Sequence, residues 1–585
     1  MILKALCDYY DMLSQVKESD ISPYGFQKVT ANYVAILSQD GVLNDIISLN
    51  QLNNNRPQVF MTPISMKMSG IAASPVCDNF EYIFGVGGEK GEKEVTKIKF
   101  DVAKKLHLTL FGNSESIEGK AISNFFKQWN VDTAWENSCI LKHYTEKGKA
   151  FSGNIVFRLV GNSIYFHDVP EIIKIWNKKL IEARNAEDVT IAQCSITGEI
   201  APISRIHKKL SGIRDASTMG ASLVSFNKGA DESYGLEQSK NAAVSEEATF
   251  KYSTVLQYMI SNPSQRMFIG DATTVIWSGV IDQRYTNVFQ EILNNPDRDD
   301  DESIIEDIET REIVKSILLD NTKGIYNDLK MNAEFFVLGL SPNAGRASVR
   351  FFYKNTFPNF CEKVKQHYHD THIYGGKNGK ENIKIGSILY STINSKSKDK
   401  KINPLLGGAV TKAILTGEMY PQLLLTQTII RIKAEVEITQ PRAAIIKGFI
   451  IRKNRKSKKE EELTMYLNEA STNPAYVLGR IFAILEIIQK NALGEGINAT
   501  IKDKYFASAC SNPSLVFPGL LKLAQHHLAK IEGNYWSVKL GDCLGLLESE
   551  GFPKIQNMEN QGRFILGYYQ QNQKNYEKRQ KGALE

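Results

Sequence analysis

Arg452-Lys453-Asn454-Arg455-Lys456-Ser457-Lys458-Lys459, followed shortly by Met465 and then by Asn473-Pro474-Ala475-Tyr476, marks the place where this chain changes character. Upstream, short apolar runs alternate with glycine and proline. Downstream, the apolar residues recur at helical spacing almost to the end. That contrast decides the fold class: α+β, with a β-rich mixed N-terminal domain followed by a C-terminal α-helical bundle. The basic octet crowns a wider band. Lys401 to Glu460 holds twelve Lys/Arg against four Glu, net +8, whereas the full 585 residues sum to only +6. Positive charge gathered in one stretch suits a polyanionic partner, because neutralising phosphates releases condensed counterions. The plainer reading is a solvated linker, kept extended by its own repulsion.

Beyond the junction, Asn473-Pro474 opens a helix with proline in its first turn, and Tyr476, Leu478, Ile481, Phe482, Leu485 and Ile488 continue it to Gly494. Leu515 to Ile531 and Asn560 to Gln573 are two further helices of a bundle that is large enough to fold alone. Before the junction, residues 1–20 form a helix with Leu3, Leu6, Cys7, Tyr10 and Leu13 on one face. Tyr33–Leu37 before the Asp40-Gly41 turn, Val59–Met61 and Tyr82–Phe84 are expected strands, and Ala121 starts a helix. Asn154–Val160 and Ser163–Phe166 are expected to form a hairpin about Gly161-Asn162. Glu334–Leu340 is an expected buried strand, and Val349–Tyr353 another. Asp297–Glu312, with nine acidic and two basic residues, suits an exposed loop and a solvated helix start. Four stretches result: a mixed α+β domain at 1–280, an acidic segment and central α/β region at 281–400, a basic helical segment and linker at 401–464, and the bundle at 465–585.

No stretch reaches the ~18 uncharged apolar residues of a bilayer span, and Asp8 interrupts the N-terminus too early for a secretory signal. Seven scattered cysteines without a CxxC pair argue for reduced thiols in the cytoplasm and against a cysteine zinc site. No cofactor is expected.

Signals for catalysis are sparse. Gly85-Val86-Gly87-Gly88, followed by Gly91, mimics a dinucleotide loop, but Glu92–Phe100 reads as a charged strand where the fingerprint needs a helix, so a hairpin loop is expected. There is no P-loop, HExxH or GxSxG motif. His367, His369, Asp370 and His372 are the one metal-like cluster, suited to zinc or nickel and to a metal-dependent nuclease. Surface histidines are the plainer reading. Cys194 and His207 suggest a thiolate–imidazole couple, though nothing in sequence orients them. A binding protein is favoured over an enzyme.

Several strings then form a pattern. They include Cys77-Asp78-Asn79-Phe80-Glu81-Tyr82-Ile83-Phe84-Gly85 and Cys194-Ser195-Ile196-Thr197-Gly198-Glu199 with Pro202 and His207. Ser225-Phe226-Asn227, Ser233-Tyr234-Gly235 and Val244-Ser245-Glu246 follow. Ile269-Gly270-Asp271-Ala272-Thr273, Leu340-Ser341-Pro342-Asn343 and Arg442-Ala443-Ala444-Ile445-Ile446-Lys447 come next. Leu478-Gly479-Arg480, Gln561-Gly562-Arg563-Phe564 and Gly567-Tyr568-Tyr569 close the series. In this order, and over nearly the whole chain, they resemble the large subunit of the type I-C CRISPR Cascade, a crRNA-guided surveillance complex. One departure is Ala230-Asp231, where the family has an apolar residue after the alanine.

The resemblance implies a non-catalytic antiviral subunit. It would recognise the protospacer-adjacent motif (PAM) in double-stranded target DNA with residues 1–280, while the guide reads the remaining sequence by pairing. It would stabilise the R-loop and help recruit a helicase–nuclease. Its other partners would be crRNA, the handle-binding subunit, backbone subunits and small subunit, with no membrane. Lys67, Ser69, Gly70 and Asn79 have the make-up of a motif-reading loop, although Asp78-Asn79 equally suits a helix or turn cap. Ser225, Asn227, Lys228 and Tyr234 suit a nucleic-acid groove or a loop packed on a neighbouring subunit. Arg346 and Arg350, on one face if extended, suit phosphates or a salt-bridged surface. Arg431, Lys433, Arg442, Lys447, Arg452, Lys453, Arg455 and Lys456 suit the displaced non-target strand. The tail resembles the Cascade small subunit, and Met465 is the candidate internal start for a separate copy of it.

Overall fold

Phe26–Leu37, twelve residues of mixed apolar and polar character, form β1, the strand on which the N-terminal sheet is built. β2 (Leu43–Ser48) pairs antiparallel with its second half and β3 (Gln58–Pro63) with its first. On the opposite edge β7 (Asn154–Leu159) runs parallel, with Val34 opposite Val156, and β4 (Cys77–Asn79) pairs antiparallel with β7. A parallel pair needs a long crossover, and the chain between β1 and β7 includes α2 (Lys97–Phe111) and α3 (Ile117–Gln128). Their apolar faces meet the sheet in an aromatic core of Phe84, Phe100, Phe111, Phe125, Phe126 and Phe157. Phe84 and Phe125 lie edge to face at 5.9 Å. Each such side chain stabilises the unit by about 1.5–3 kcal/mol through burial.

The computed structural model describes residues 1–17, 19–49, 58–65, 70–87, 94–143, 153–184, 189–226, 229–231, 233–294, 308–318, 333–343, 345–375, 379, 382–394, 396–398, 402–459, 463–494, 498–547 and 551–582. The chain divides into two compact units, Met1–Leu210 with Met219–Tyr258, and Ser211–Thr218 with Met259–Glu585. The first also holds α1 (Ile2–Ser14), which buries Leu6, Cys7, Tyr9, Tyr10 and Leu13, then α4 (Pro170–Arg184), the short antiparallel pair β8 (Ile191–Gln193) and β9 (Ile200–Pro202), and α5 (Glu246–Ser261) as far as Tyr258.

Three local expectations change in this unit. Tyr82–Phe84 is no strand: Phe80–Ile83 forms one helical turn because the Asn79 side chain caps it. Of Glu92–Phe100, the described residues contribute only the two-residue strand β6 (Glu94–Val95), paired with β5 (Val86–Gly87), before α2 begins at Lys97. Val86 and Gly87 therefore pair with Val95 and Glu94, and the expected loop, residues 88–93, lies outside the described residues. Asn154–Phe166 is no hairpin either. β7 is internal to the sheet, and Tyr165 returns to it only by an isolated bridge to Arg158.

The second unit starts with an antiparallel meander, β10 (Arg266–Ile269), β11 (Ala272–Ser278), β12 (Glu334–Asn343) and β13 (Arg346–Thr356), in that order across the sheet. Helices follow: α6 (Gln283–Asn294) and α7 (Ile308–Leu318) from the β11–β12 connection, then α8 (Phe357–Thr371), α9 (Ile385–Tyr390), α10 (Pro404–Thr416), α11 (Gln422–Glu435) and α12 (Gln440–Ser457). Of the acidic stretch, residues 297–307 lie outside the described residues and the remainder opens α7.

The tail comprises α13 (Pro474–Leu493), α14 (Ile501–Ser511), α15 (Pro513–Leu528), α16 (Tyr535–Gly545) and α17 (Met558–Gly582). Asn473 caps α13 through its side chain, Pro474 occupies the first turn, and Gly494 ends the helix with φ +80°. Every residue from Ala475 to Ile488 is buried, the pattern of a helix enclosed on all sides. α13 and α17 approach so closely that a Cβ on Gly479 would collide with the Phe564 carbonyl, and one on Gly567 with the Tyr476 carbonyl. A Cβ on Gly562 of α17 would lie 2.9 Å from Ile446 of α12.

One hydrophobic core runs from Met267 to Tyr569. The stretches 281–400, 401–464 and 465–585, distinct in composition, thus share their interior, and the packing groups the chain as two units. The expected linker is largely helix α12, because Ile445, Ile446, Phe449 and Ile450 give the basic band an apolar face that α17 covers. No described helix is long and apolar enough to cross a membrane. All seven cysteines are free.

Candidate nucleic-acid interface

The N-terminal candidates sit beside β4. Gly70 is exposed with φ +83° and open space where a Cβ would stand. Lys67 and Ser69 lie outside the described residues. Asn79 is committed to the fold: its Oδ1 accepts from the Glu81 and Tyr82 amides at 3.1 and 3.3 Å. The Asp78 carboxylate accepts from the Ser74 and Asn79 amides, both at 2.8 Å, and burial pushes it up to about 6. The capping reading of Asp78-Asn79 is therefore realised, with Asn79 Oδ1 occupied by the cap.

A residue that sequence reasoning passed over holds this segment in place. His107 of α2 is fully buried, stacks on Phe126 at 4.2 Å, donates from Nδ1 to the Ala103 carbonyl and accepts the Val76 amide at Nε2. Those two bonds require the neutral ring, and burial lowers its pKa to about 4. Val76, left-handed at φ +52°, is fixed by that bond. The only sequence signal is a polar ring on the apolar face of α2.

In the 221–246 block, Asn227 and Lys228 lie outside the described residues, and Ser225 is half-buried and already engaged. Tyr234 is fully exposed, with φ +61°. Asn241 clamps the loop that presents it by donating to the carbonyls of Asp231, Leu236 and Gln238. Cys194 and His207 are engaged with different partners. Cys194 Sγ accepts the Ser245 amide at 3.3 Å, and His207 Nδ1 meets the Tyr252 hydroxyl at 2.5 Å. Burial raises the Cys194 thiol, but hydrogen bonds from Ser245 and Thr197 outweigh it and bring it to about 7.

Arg346 and Arg350 lie on one extended strand, β13. Arg350 is spent on Asp271, at 3.0 Å, and on the Ser341 hydroxyl, at 2.7 Å. Arg346 is half-buried and also engaged. For Arg350 the salt-bridged surface is the reading realised.

Part of the basic band is turned inward. Arg442 pairs with Glu435 at 2.5 Å and donates to the Glu437 and Ser391 carbonyls. Lys433 bonds Ser511 and Gln561, and Arg431 is half-buried. Arg452, 3% exposed, bonds the fully buried Asp370 at 3.0 Å, the Ala413 and Glu418 carbonyls, and the face of Tyr420 at 4.0 Å. Lys447 reaches the Asp370 carbonyl at 3.3 Å, and burial lowers its pKa to about 8. Arg442, Lys447 and Arg452 are thus interior groups and face no displaced strand. The cause is geometric: every third or fourth residue of α12 must face the core, so cations spread along it cannot all stay outside.

Arg455 straddles the boundary, bonded to Asp370 at 2.5 Å while its side chain stays 44% exposed. Lys453 pairs with Glu559, and Lys456, Lys458 and Lys459 are exposed. Among these candidates the outward charge gathers at the last turn of α12 and the residues just after it, where the negative end of the helix dipole favours cations.

This network also accounts for the histidine cluster. His367 and Asp370 point inward on α8, and His369 points out. His367 Nδ1 meets the Tyr420 hydroxyl at 2.5 Å, and burial with nearby Arg452 lowers its pKa to about 3. Among the described residues, no group of three or more His, Cys, Asp or Glu is placed to hold a metal ion. Asp370 is an ion-paired brace between α8 and α12.

The chain is thus α+β, with a basic helix braced through the buried Asp370. A family model for CRISPR-associated protein (Cas_Csd1) matches residues 6–576, and the chain belongs to that family. No curated protein matches it.

Proposed function

We propose that this chain is the non-catalytic large subunit of a type I-C crRNA-guided antiviral complex. In that role it recognises the PAM in duplex DNA, stabilises the R-loop and helps recruit the helicase–nuclease. The observation that carries this reading is family membership over residues 6–576, which spans both units. The exposed left-handed turn at Gly70 and the cationic last turn of α12 support it, since a groove-reading loop and a backbone-gripping patch are what the task requires. The test compares duplex opening by the assembled complex on targets differing only in the PAM, repeated with Lys67→Ala. Discrimination that weakens in the variant is expected. Equal opening of both targets overturns the reading.

Met465 is the proposed internal start of a separately made tail. A product spanning 465–585, detected with a C-terminal antibody and abolished by Met465→Ala, is the expected result. Its persistence in that variant sinks the assignment.

A further inference from the structure

A small cleft of about 230 Å³ opens in the second unit, lined by Tyr374, Met465, Tyr466, Leu467, Gln573 and Lys574 along with Gln570. It is below the range of about 300–1,000 Å³ usual for cofactor-sized ligands, so it suits a single ring system. Tyr466 is 56% exposed and its ring lies 5.2 Å from that of Tyr374, inclined by 38°. An aromatic held in the open at the mouth of a cleft is a surface for another flat group.

The walls are set before anything binds. The Tyr374 amide donates to the Met465 carbonyl at 3.2 Å, and the Tyr569 hydroxyl donates to the Tyr374 carbonyl at 3.0 Å. Gln570 donates to the Thr464 and Met465 carbonyls and accepts the Tyr476 hydroxyl at 2.6 Å. Lys574 lines the cleft and pairs with Glu469, a carboxylate that Lys539 also holds. A preformed aromatic surface with a lysine beside it is the arrangement on which single strands stack without sequence preference.

We propose that this cleft stacks one unpaired base of single-stranded DNA on Tyr466, with Lys574 at the neighbouring phosphate. The proposal rests on the R-loop reading above and names a place on this chain where a displaced strand is gripped. A copy of the tail beginning at Met465 would lack Tyr374 and hold only part of the cleft.

The test uses the full-length chain and fluorescein-labelled oligothymidylate, with an abasic strand of equal length as control. Tyr466→Ala is expected to weaken oligothymidylate binding by about 5- to 150-fold and to leave abasic binding unchanged. Tyr466→Phe should retain the wild-type preference, and Lys574→Ala should weaken both strands. Equal affinity of the wild-type chain for the two strands overturns the proposal. So does an unchanged Tyr466→Ala, including the case where a peptide instead protects Tyr466 from modification. A guide-loaded particle that still discriminates PAM variants while Tyr466→Ala has no effect overturns the cleft alone. Loss of PAM discrimination in the wild-type particle overturns the broader reading.

Discussion

Asp370 shows how one residue's surroundings decide its role. Beside three histidines it has the look of a metal ligand, yet its carboxylate is fully buried between Arg452 and Arg455. Removing one partner of a buried ion pair strands the other, so Asp370→Asn should lose about 3–5 kcal/mol in urea unfolding. The exposed His369→Ala should stay within about 0.5 kcal/mol. A metal site would make both variants lose bound metal. His107 and His207 carry a second expectation. Both have folded pKa values near 4, lowered by burial, against about 6.5 in the unfolded chain. Across that window the unfolded chain binds protons that the fold refuses. Stability present at pH 7 is therefore lost as pH falls from about 6.5 towards 4, at up to about 1.4 kcal/mol per pH unit for each ring. Melting temperatures at pH 7 and pH 5 check this, and His107→Gln should flatten the slope.

At the scale of elements, the long periodic segments were legible and the short ones were not. α1, α13 and the β12–β13 pair declare themselves because a dozen or so residues repeat one spacing. The Phe80–Ile83 turn and the two-residue β6 do not, since caps and neighbours decide them. Of the site, the sequence located the basic helix but not its facing, because inward cations are recognised only by partners distant in the chain, such as Asp370. The glycines of the tail are a further case. Gly479→Ala should destabilise by about 1–3 kcal/mol or more, since the added methyl meets the α17 backbone. Gly519→Ala, in an α15 position with open space around it, should stabilise by about 0.4–1 kcal/mol. Chemical denaturation of the two variants checks both signs.

For the whole molecule, a net charge of +6 is modest, so under the proposed function the affinity for duplex DNA would depend on where charge is displayed. Binding by the assembled complex should fall by orders of magnitude between about 50 and 200 mM salt. Charge reversal at Lys456, Lys458 and Lys459 together should make that dependence shallower, whereas an unchanged slope would remove α12 from the interface. The two helices that meet backbone to backbone at Gly479 and Gly567 set a mechanical rule for this unit. Neither can slip or roll against the other without carbonyls colliding, so they travel as a single beam. Any rearrangement of this unit would then flex at the beam's ends rather than along its length.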